Sequence, residues 1–499
     1  MRARRCFRVM LIAAGWTACG VHPPCFCQPG TFDFQTLVFP VAGHVSDVHA
    51  VDVNGDGRCD LVVLFVSPAG GEGESLPERR ASVYLQSEQG FSPRPFQTVA
   101  LDRKETLCQW ANVQGGPAPE WVFLTPEGMR VRAWSDSSGF SAAPVLVLRC
   151  GSAFQTHDAS RLPPWTLVGD LDGDRTFEWC IPQTDRIDLH GPDESGGLQL
   201  LQSLRIEPDV ELSGETFVSL RMRLPRLVSG RFDDDPWPDV FVLQRGRMSV
   251  FLGQAPGGGA LREAEVQYLF GPSLEGAAAR TDGAPLFELT DWNGDGLLDL
   301  IDVRTEGMFR LHVNRSGRYD PVPDASWATE GPCLTHALRD FNRDGLGDLG
   351  LVELNTGAAG IVPFLLRQKI RIFFKCFAGR TQGYFSQKPD FSLSFSQRFA
   401  WQNGLNQKVF CLFDGDLNGD GRNDLAAGTD ANVLTVFPAE ENGYFGKKDA
   451  FRIPAAWSER CRAADMNRDG ISDLIFWYPQ GAGGPDRFIL VQSRRPDGP

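Results

Sequence analysis

Six short segments of this chain carry oxygen-bearing side chains at one fixed spacing. They read DVNGDGRCDL from Asp52, DLDGDRTFEW from Asp170, DWNGDGLLDL from Asp291, DFNRDGLGDL from Asp340, DLNGDGRNDL from Asp416 and DMNRDGISDL from Asp465. Positions 1, 3, 5 and 9 of each hold an acid or an asparagine. The sets are Asp52, Asn54, Asp56 and Asp60; Asp170, Asp172, Asp174 and Glu178; Asp291, Asn293, Asp295 and Asp299; Asp340, Asn342, Asp344 and Asp348; Asp416, Asn418, Asp420 and Asp424; and Asp465, Asn467, Asp469 and Asp473. Side chains at 1, 3 and 5 converge when the backbone curls, the residue at 7 can add its carbonyl, and the acid at 9 closes the set. Ca²⁺, a hard cation that takes roughly six to eight oxygens in a flexible shell, suits such a donor set. Gly at position 6 (Gly57, Gly296, Gly345, Gly421, Gly470) permits the turn. An EF-hand begins alike but needs Glu at position 12 and flanking helices. Here position 12 is apolar, as at Val63, and the flanks read as strands.

Net charge supports the same expectation. The first twenty residues carry four arginines and no acid. Their loss would take the net charge from −14 to −18, and six Ca²⁺ would bring it to −6. Loops with so many carboxylates repel themselves without a cation. The acidic balance also argues against nucleic acid as a partner, because phosphate binding needs a concentrated basic face.

The loops belong to a longer repeat. Aligning the apolar runs that follow them exposes two worn copies, NVQGGPAPEW from Asn112 and RFDDDPWPDV from Arg231. The Asn112 copy keeps only Glu120 as an acid and is expected to hold no ion. The Arg231 copy keeps Asp233, Asp235 and Asp239, with a guanidinium standing in for the ion. The eight starts are spaced by about 59 residues on average, a period that signals a repeat architecture. Each period holds four short β-branched and aromatic runs split by Gly, Pro, Asn and Asp, and four strands make one propeller blade. Only two further runs follow the last loop, while residues 30–41 (GTFDFQTLVFPV) match the fourth run of the other periods. The expectation is therefore an all-β propeller of eight four-stranded blades, closed by the N-terminal strand completing the last blade. Seven blades is the alternative if the Asn112 copy is something else.

The loop pattern resembles the FG-GAP/VCBS repeat family of calcium-loop β-propellers, which includes the integrin α-subunit head. The resemblance covers roughly residues 30–495 and rests on DxNxDGxxDL. It implies that positions 1, 3, 5 and 9 of the six full copies bind Ca²⁺. Two features depart from it. Integrin heads have seven blades, and the Gly-Ala-Pro after the second strand is mostly missing, with Leu425-Ala426-Ala427-Gly428-Thr429 coming nearest.

The opening MRARRCFRVMLIAAGWTACG has a basic start, a short apolar run and small residues near its end, the form of a secretory signal peptide. The expected organisation is a signal at 1–20, a linker at 21–30, one propeller domain at 31–495 and a tail at 496–499. Trp16-Thr17-Ala18-Cys19 loosely resembles a lipobox, which would put a lipid anchor on Cys19. Periplasmic or cell-surface placement in a bacterial envelope follows. Ten cysteines lie beyond Cys19, and export leads us to expect some disulfides among them. No apolar run reaches the ~20 residues of a membrane helix.

Strand direction alternates within a blade, so the acidic loops share one face and the longest connections share the other. These are 67–81, 207–223, 271–284 and 396–408. Residues 361–380 alternate basic and apolar side chains with strand period, so a long third strand with a basic face is expected there. Catalytic motifs are missing: no HExxH, GxSxG, P-loop or dinucleotide fingerprint. The expected role is a non-enzymatic module that binds protein or glycan through the loop-rich face. A polysaccharide-acting enzyme of the lyase-like eight-bladed type and a purely structural envelope component are the alternatives.

Overall fold

The computed structural model describes residues 33–494 except 68–76, 153, 155–161, 194, 214–218, 245–246, 256–260, 264–267, 270–286, 304–306, 355–367, 382–383, 387, 399–408, 448–449 and 479–485. The signal, linker and tail expectations lie outside this range, as do most of the long connections.

Eight antiparallel sheets follow one another along the chain, each a four-stranded blade; in blade 4 the outer position is shared by two short strands, Arg262–Glu263 and Tyr268–Leu269, both paired with Arg247–Leu252. Blade 1 comprises His44–Val51, Asp60–Ser67, Glu78–Tyr84 and Gln97–Ala100. Blade 8 takes three strands from the C-terminal end, Arg460–Ala464, Asp473–Trp477 and Arg487–Arg494. Its outermost strand is Asp33–Pro40, paired with Arg487–Arg494 from Asp33↔Arg494 to Pro40↔Arg487. The first and last strands of the fold thus share one sheet and close the ring, which also covers an edge that would otherwise be open for pairing.

Packing between blades explains the apolar runs after the acidic loops. In Asp60–Ser67 the side chains alternate between two seams. Leu61, Val63 and Phe65 pack against blade 8, whereas Val62 and Leu64 pack against blade 2. Every second strand is buried on both faces for this reason, so it reads as a continuous apolar run. Eight core clusters fill the eight seams, the last joining Leu434, Val436 and Ile453 of blade 7 to Leu474, Phe476 and Val491 of blade 8. The Asn112 copy is a full blade, with strands Leu107–Ala111, Glu120–Thr125, Gly128–Arg132 and Val145–Arg149. The alternative count of seven falls with it.

The basic segment forms a nine-residue third strand in blade 6, Lys369–Phe377. Ile370, Ile372, Phe374 and Cys376 enter the seam with blade 7. Lys375, on the other face, reaches Glu330 at 2.7 Å and Glu353 at 3.1 Å.

The cysteine expectation is corrected. All eight described cysteines are free, and Cys25 and Cys27 lie outside the described residues. Each sits on or beside a strand and behaves as a small core side chain. Burial pushes the thiols of Cys108 and Cys411 up to about 12.

Candidate metal centres

Each acidic loop joins the first strand of a blade to its second. The position-1 carboxylate accepts the backbone N–H of position 6 in all six full copies: from Gly57 (2.6 Å), Arg175 (3.2 Å), Gly296 (2.9 Å), Gly345 (2.8 Å), Gly421 (2.6 Å) and Gly470 (3.0 Å). The position-3 oxygen accepts the N–H of position 5, and the position-5 carboxylate accepts that of position 7, again in all six. These turns draw the side chains inward. In the loop with three acids, one carboxylate oxygen each from Asp170, Asp172 and Asp174 lies within 4.8 Å of the others. In four of the five loops where position 3 is Asn, at Asn293, Asn342, Asn418 and Asn467, its amide stands 2.8–3.2 Å from the position-5 carboxylate. A carboxylate oxygen that accepts one N–H keeps a second lone pair, so the same oxygens can face a hard cation.

The position-9 acid sits at the base of the loop. In all eight copies it accepts the N–H of position 2, at 2.6–3.1 Å. In the six copies where it is Asp, the second oxygen accepts an N–H from the end of the third strand or just beyond it: Gln86, Gly253, Asn314, Gly379, Ala439 or Ser493. The structure therefore brings positions 1, 3 and 5 together in the Asp170 loop, repeats the same turn in the other five full copies, and ties position 9 to the sheet beneath. Burial pushes the carboxyls of Asp60, Glu178, Asp299, Asp424 and Asp473 up to about 7, despite the N–H groups that favour the ionised form.

The two worn copies share a feature that the alignment of acids did not reveal. Both have proline at position 6, Pro117 and Pro236. Position 6 is left-handed in the full copies, with φ from 75° at Arg175 to 89° at Gly296 and Gly345. Proline fixes φ near −65° and has no N–H to donate. It removes both the curl and the hydrogen bond that hold a position-1 carboxylate, and position 1 is accordingly Asn112 or Arg231. Asn112 donates to the Gly116 carbonyl at 2.6 Å, and Arg231 Nε donates to the Asp235 carbonyl at 2.9 Å. The position-9 acid persists in both, so its backbone role does not require the other three oxygens. This gives a clean test. Asp239 is fully buried, and Asp239→Asn would set an amide N–H₂ against a backbone donor. Thermal unfolding should show a loss of about 1–3 kcal/mol, the cost of an unsatisfied buried group. The shift produced by added calcium should stay that of the parent chain; a changed calcium shift would mean that this loop also holds an ion.

Neighbouring loops touch. Arg343, at position 4 with φ 64°, donates to the Gly421 carbonyl of the next loop at 2.8 Å. Arg468, also at position 4, lies over Gly57, and the Arg231 guanidinium extends to Gly296. The loops thus form a linked rim rather than isolated sites.

The inner strands carry charges that no sequence motif marks. Trp110 Nε1 donates to His49 Nδ1 at 3.0 Å, and Arg462 reaches Asp47 at 3.0 Å. His336 stands 2.9 Å from Glu288, Arg226 donates to the Phe287 carbonyl at 3.0 Å, and Arg339 pairs with Asp414. Each contact crosses a seam between blades. Burial pushes Asp47 up, but His49, Arg462 and the Val48 N–H outweigh it and hold the carboxyl at about 2.

A model of the FG-GAP-like repeat matches residues 416–476, which span two of the full loops. No curated protein matches the sequence. Among solved structures, the chain is similar to an Agrocybe aegerita lectin that recognises non-reducing terminal N-acetylglucosamine (14% identity, 86% of this chain and 92% of that one, TM-score 0.37). It is also similar to the periplasmic gluconolactonase PpgL of Pseudomonas aeruginosa (14%, 72% and 99%, TM-score 0.34) and to Saccharomyces cerevisiae Sqt1 (11%, 93% and 99%, TM-score 0.42).

Proposed function

We propose that this chain, a β-propeller containing an FG-GAP-like repeat, is an exported calcium-binding module that binds a protein or glycan without catalysis. The observation that carries the calcium reading is the hydrogen-bond ladder repeated in six loops, which orients hard oxygens before any ion arrives. Bound Ca²⁺ would neutralise those carboxylates and stiffen one face of the ring. Positions 1, 3 and 5 would supply side-chain ligands and position 7 a carbonyl, with position 9 completing or bracing the set. The opposite face is left to carry the variable connections, the usual place for binding on a rigid scaffold. One of them forms a hairpin, Val210–Ser213 with Ser219–Met222. Export rests on the basic-apolar character of residues 1–20, and a lipid anchor on Cys19 would hold the module at an envelope surface.

A second reading, a polysaccharide-acting enzyme, draws on the inner-strand charges. A lyase-like site needs acid–base groups near the central channel, and among the described residues Asp47, His49, Glu288, His336 and Arg462 are such groups on the inner strands. Their pairing across seams favours a structural use. The full chain should be passed over immobilised polysaccharides with calcium and with chelator, scoring retention and released product together. Calcium-dependent retention without product is expected. Turnover would overturn the binding reading and direct mutagenesis to His49 and His336. Neither retention nor product would remove glycan and leave a protein partner.

A further inference from the structure

We propose that the worn acidic loop of blade 4 is a binding site for a single neutral sugar ring. It lies on the acidic-loop face, so it is independent of the loop-rich surface considered above. A larger cavity, of about 470 Å³, lies elsewhere, and here one of about 310 Å³ lies between the loop and the end of the third strand. Asp233, Asp235 and Trp237 form one wall, Leu252 to Ala255 the other, and Arg262 stands at the rim. That volume is at the lower end of ligand pockets and suits one ring.

The walls are held by groups that do not face the ligand. The buried Asp239 carboxylate accepts the N–H of Phe232 on one side at 2.6 Å and of Gly253 on the other at 2.9 Å. Gly253 lies against the Pro238 carbonyl so closely that a Cβ there would collide with it. Pro236 and Pro238 flank Trp237 and fix its backbone. Arg231 takes the place of a cation, through Nε on the Asp235 carbonyl. Asp233 and Asp235 each use only Oδ1, accepting the N–H of Asp235 and of Trp237. Their Oδ2 atoms, the Gln254 amide, the Arg262 guanidinium and the Trp237 indole N–H have no hydrogen-bond partner among the described residues.

This set selects by elimination. A cationic ligand would meet Arg262, and an anionic one would meet Asp233 and Asp235. A hydroxyl both donates and accepts. A ring bearing several hydroxyls can donate to the carboxylates, accept from the guanidinium and amide, and rest its C–H face on the indole, an apolar surface with a polar handle.

The test is saturation-transfer NMR on the full chain with the methyl glycosides of glucose, galactose and mannose. Methyl glucuronide and glucosamine serve as charged probes. At least one neutral glycoside should receive saturation. Arg262→Ala should weaken it about tenfold, the loss of one charged hydrogen bond, with an unchanged melting temperature because the side chain is exposed. Trp237→Leu should weaken it at least as much. No transfer to any neutral glycoside, tighter binding of either charged probe, or binding indifferent to Arg262→Ala would overturn the proposal. If Trp237→Leu disturbs folding, Arg262→Ala decides alone.

Discussion

Chelating calcium from the full chain is expected to lower its melting midpoint more than any single substitution. A ligand that binds only the folded state stabilises it by about 2.7 kcal/mol per site at a free concentration 100 times the dissociation constant. Six sites of that kind sum to about 16 kcal/mol, as large as the whole stability of a typical domain, roughly 5–15 kcal/mol. The expectation stands on six loops whose position-1 carboxylates already accept the position-6 N–H. Scanning unfolding in calcium, in magnesium and in chelator checks it. Magnesium should substitute poorly, because it demands a tighter, near-octahedral shell. Metal analysis should give six ions per chain, and five for Asp416→Ala. A midpoint indifferent to chelator would end the calcium reading, and eight ions would mean that Pro117 and Pro236 do not disable their loops.

Phe39→Ala should produce the largest effect of any core truncation tested singly. Phe39 is 2% exposed on the strand that closes the ring. Its ring stacks on Phe488 with centroids 4.6 Å apart and meets Tyr84 edge-on at 5.4 Å. Removing a buried phenylalanine costs about 3–5 kcal/mol from lost burial and the cavity left behind. The position adds a further consequence. Phe39 touches both blade 8 and blade 1, so loosening it frees the strand whose pairing joins the two ends of the chain. Urea unfolding measures the loss, and limited proteolysis should show cleavage near residues 33–40 in the variant. Phe96→Ala is the control: that ring is 53% exposed, and surface changes of this kind usually stay within about 0.5 kcal/mol. Equal midpoints for the two variants would show that the closure is not held by this contact.

The blade count and the ring closure were legible because they depend on local pattern repeated eight times. A turn that needs a left-handed residue at position 6 and an acceptor at position 1 imposes itself on the sequence wherever it recurs, and buried second strands leave continuous apolar runs such as DLVVLFVS. Position 9 was legible as an acid but not in its use. Its second partner lies 26 residues on at Gln86 and 31 residues on at Gly379, a distance set by the length of two strands and their turn. Cysteine number suggested disulfides, yet pairing depends on which seam each strand faces, and the described cysteines are free. The inner-strand contacts join residues 61 apart at His49 and Trp110 and 48 apart at Glu288 and His336. No periodicity marks them, because they arise from the placement of one blade against the next. The blade 4 cavity has the same origin. Its acids and prolines stand in the sequence as a damaged copy of the motif, and only the approach of residues 252–255 and Arg262 from the far end of the sheet turns the damage into a walled site. Sequence alone determined what each repeat is, through contacts within a few residues. Tertiary structure decided what the repeats do to one another, through contacts that exist only once the ring is closed.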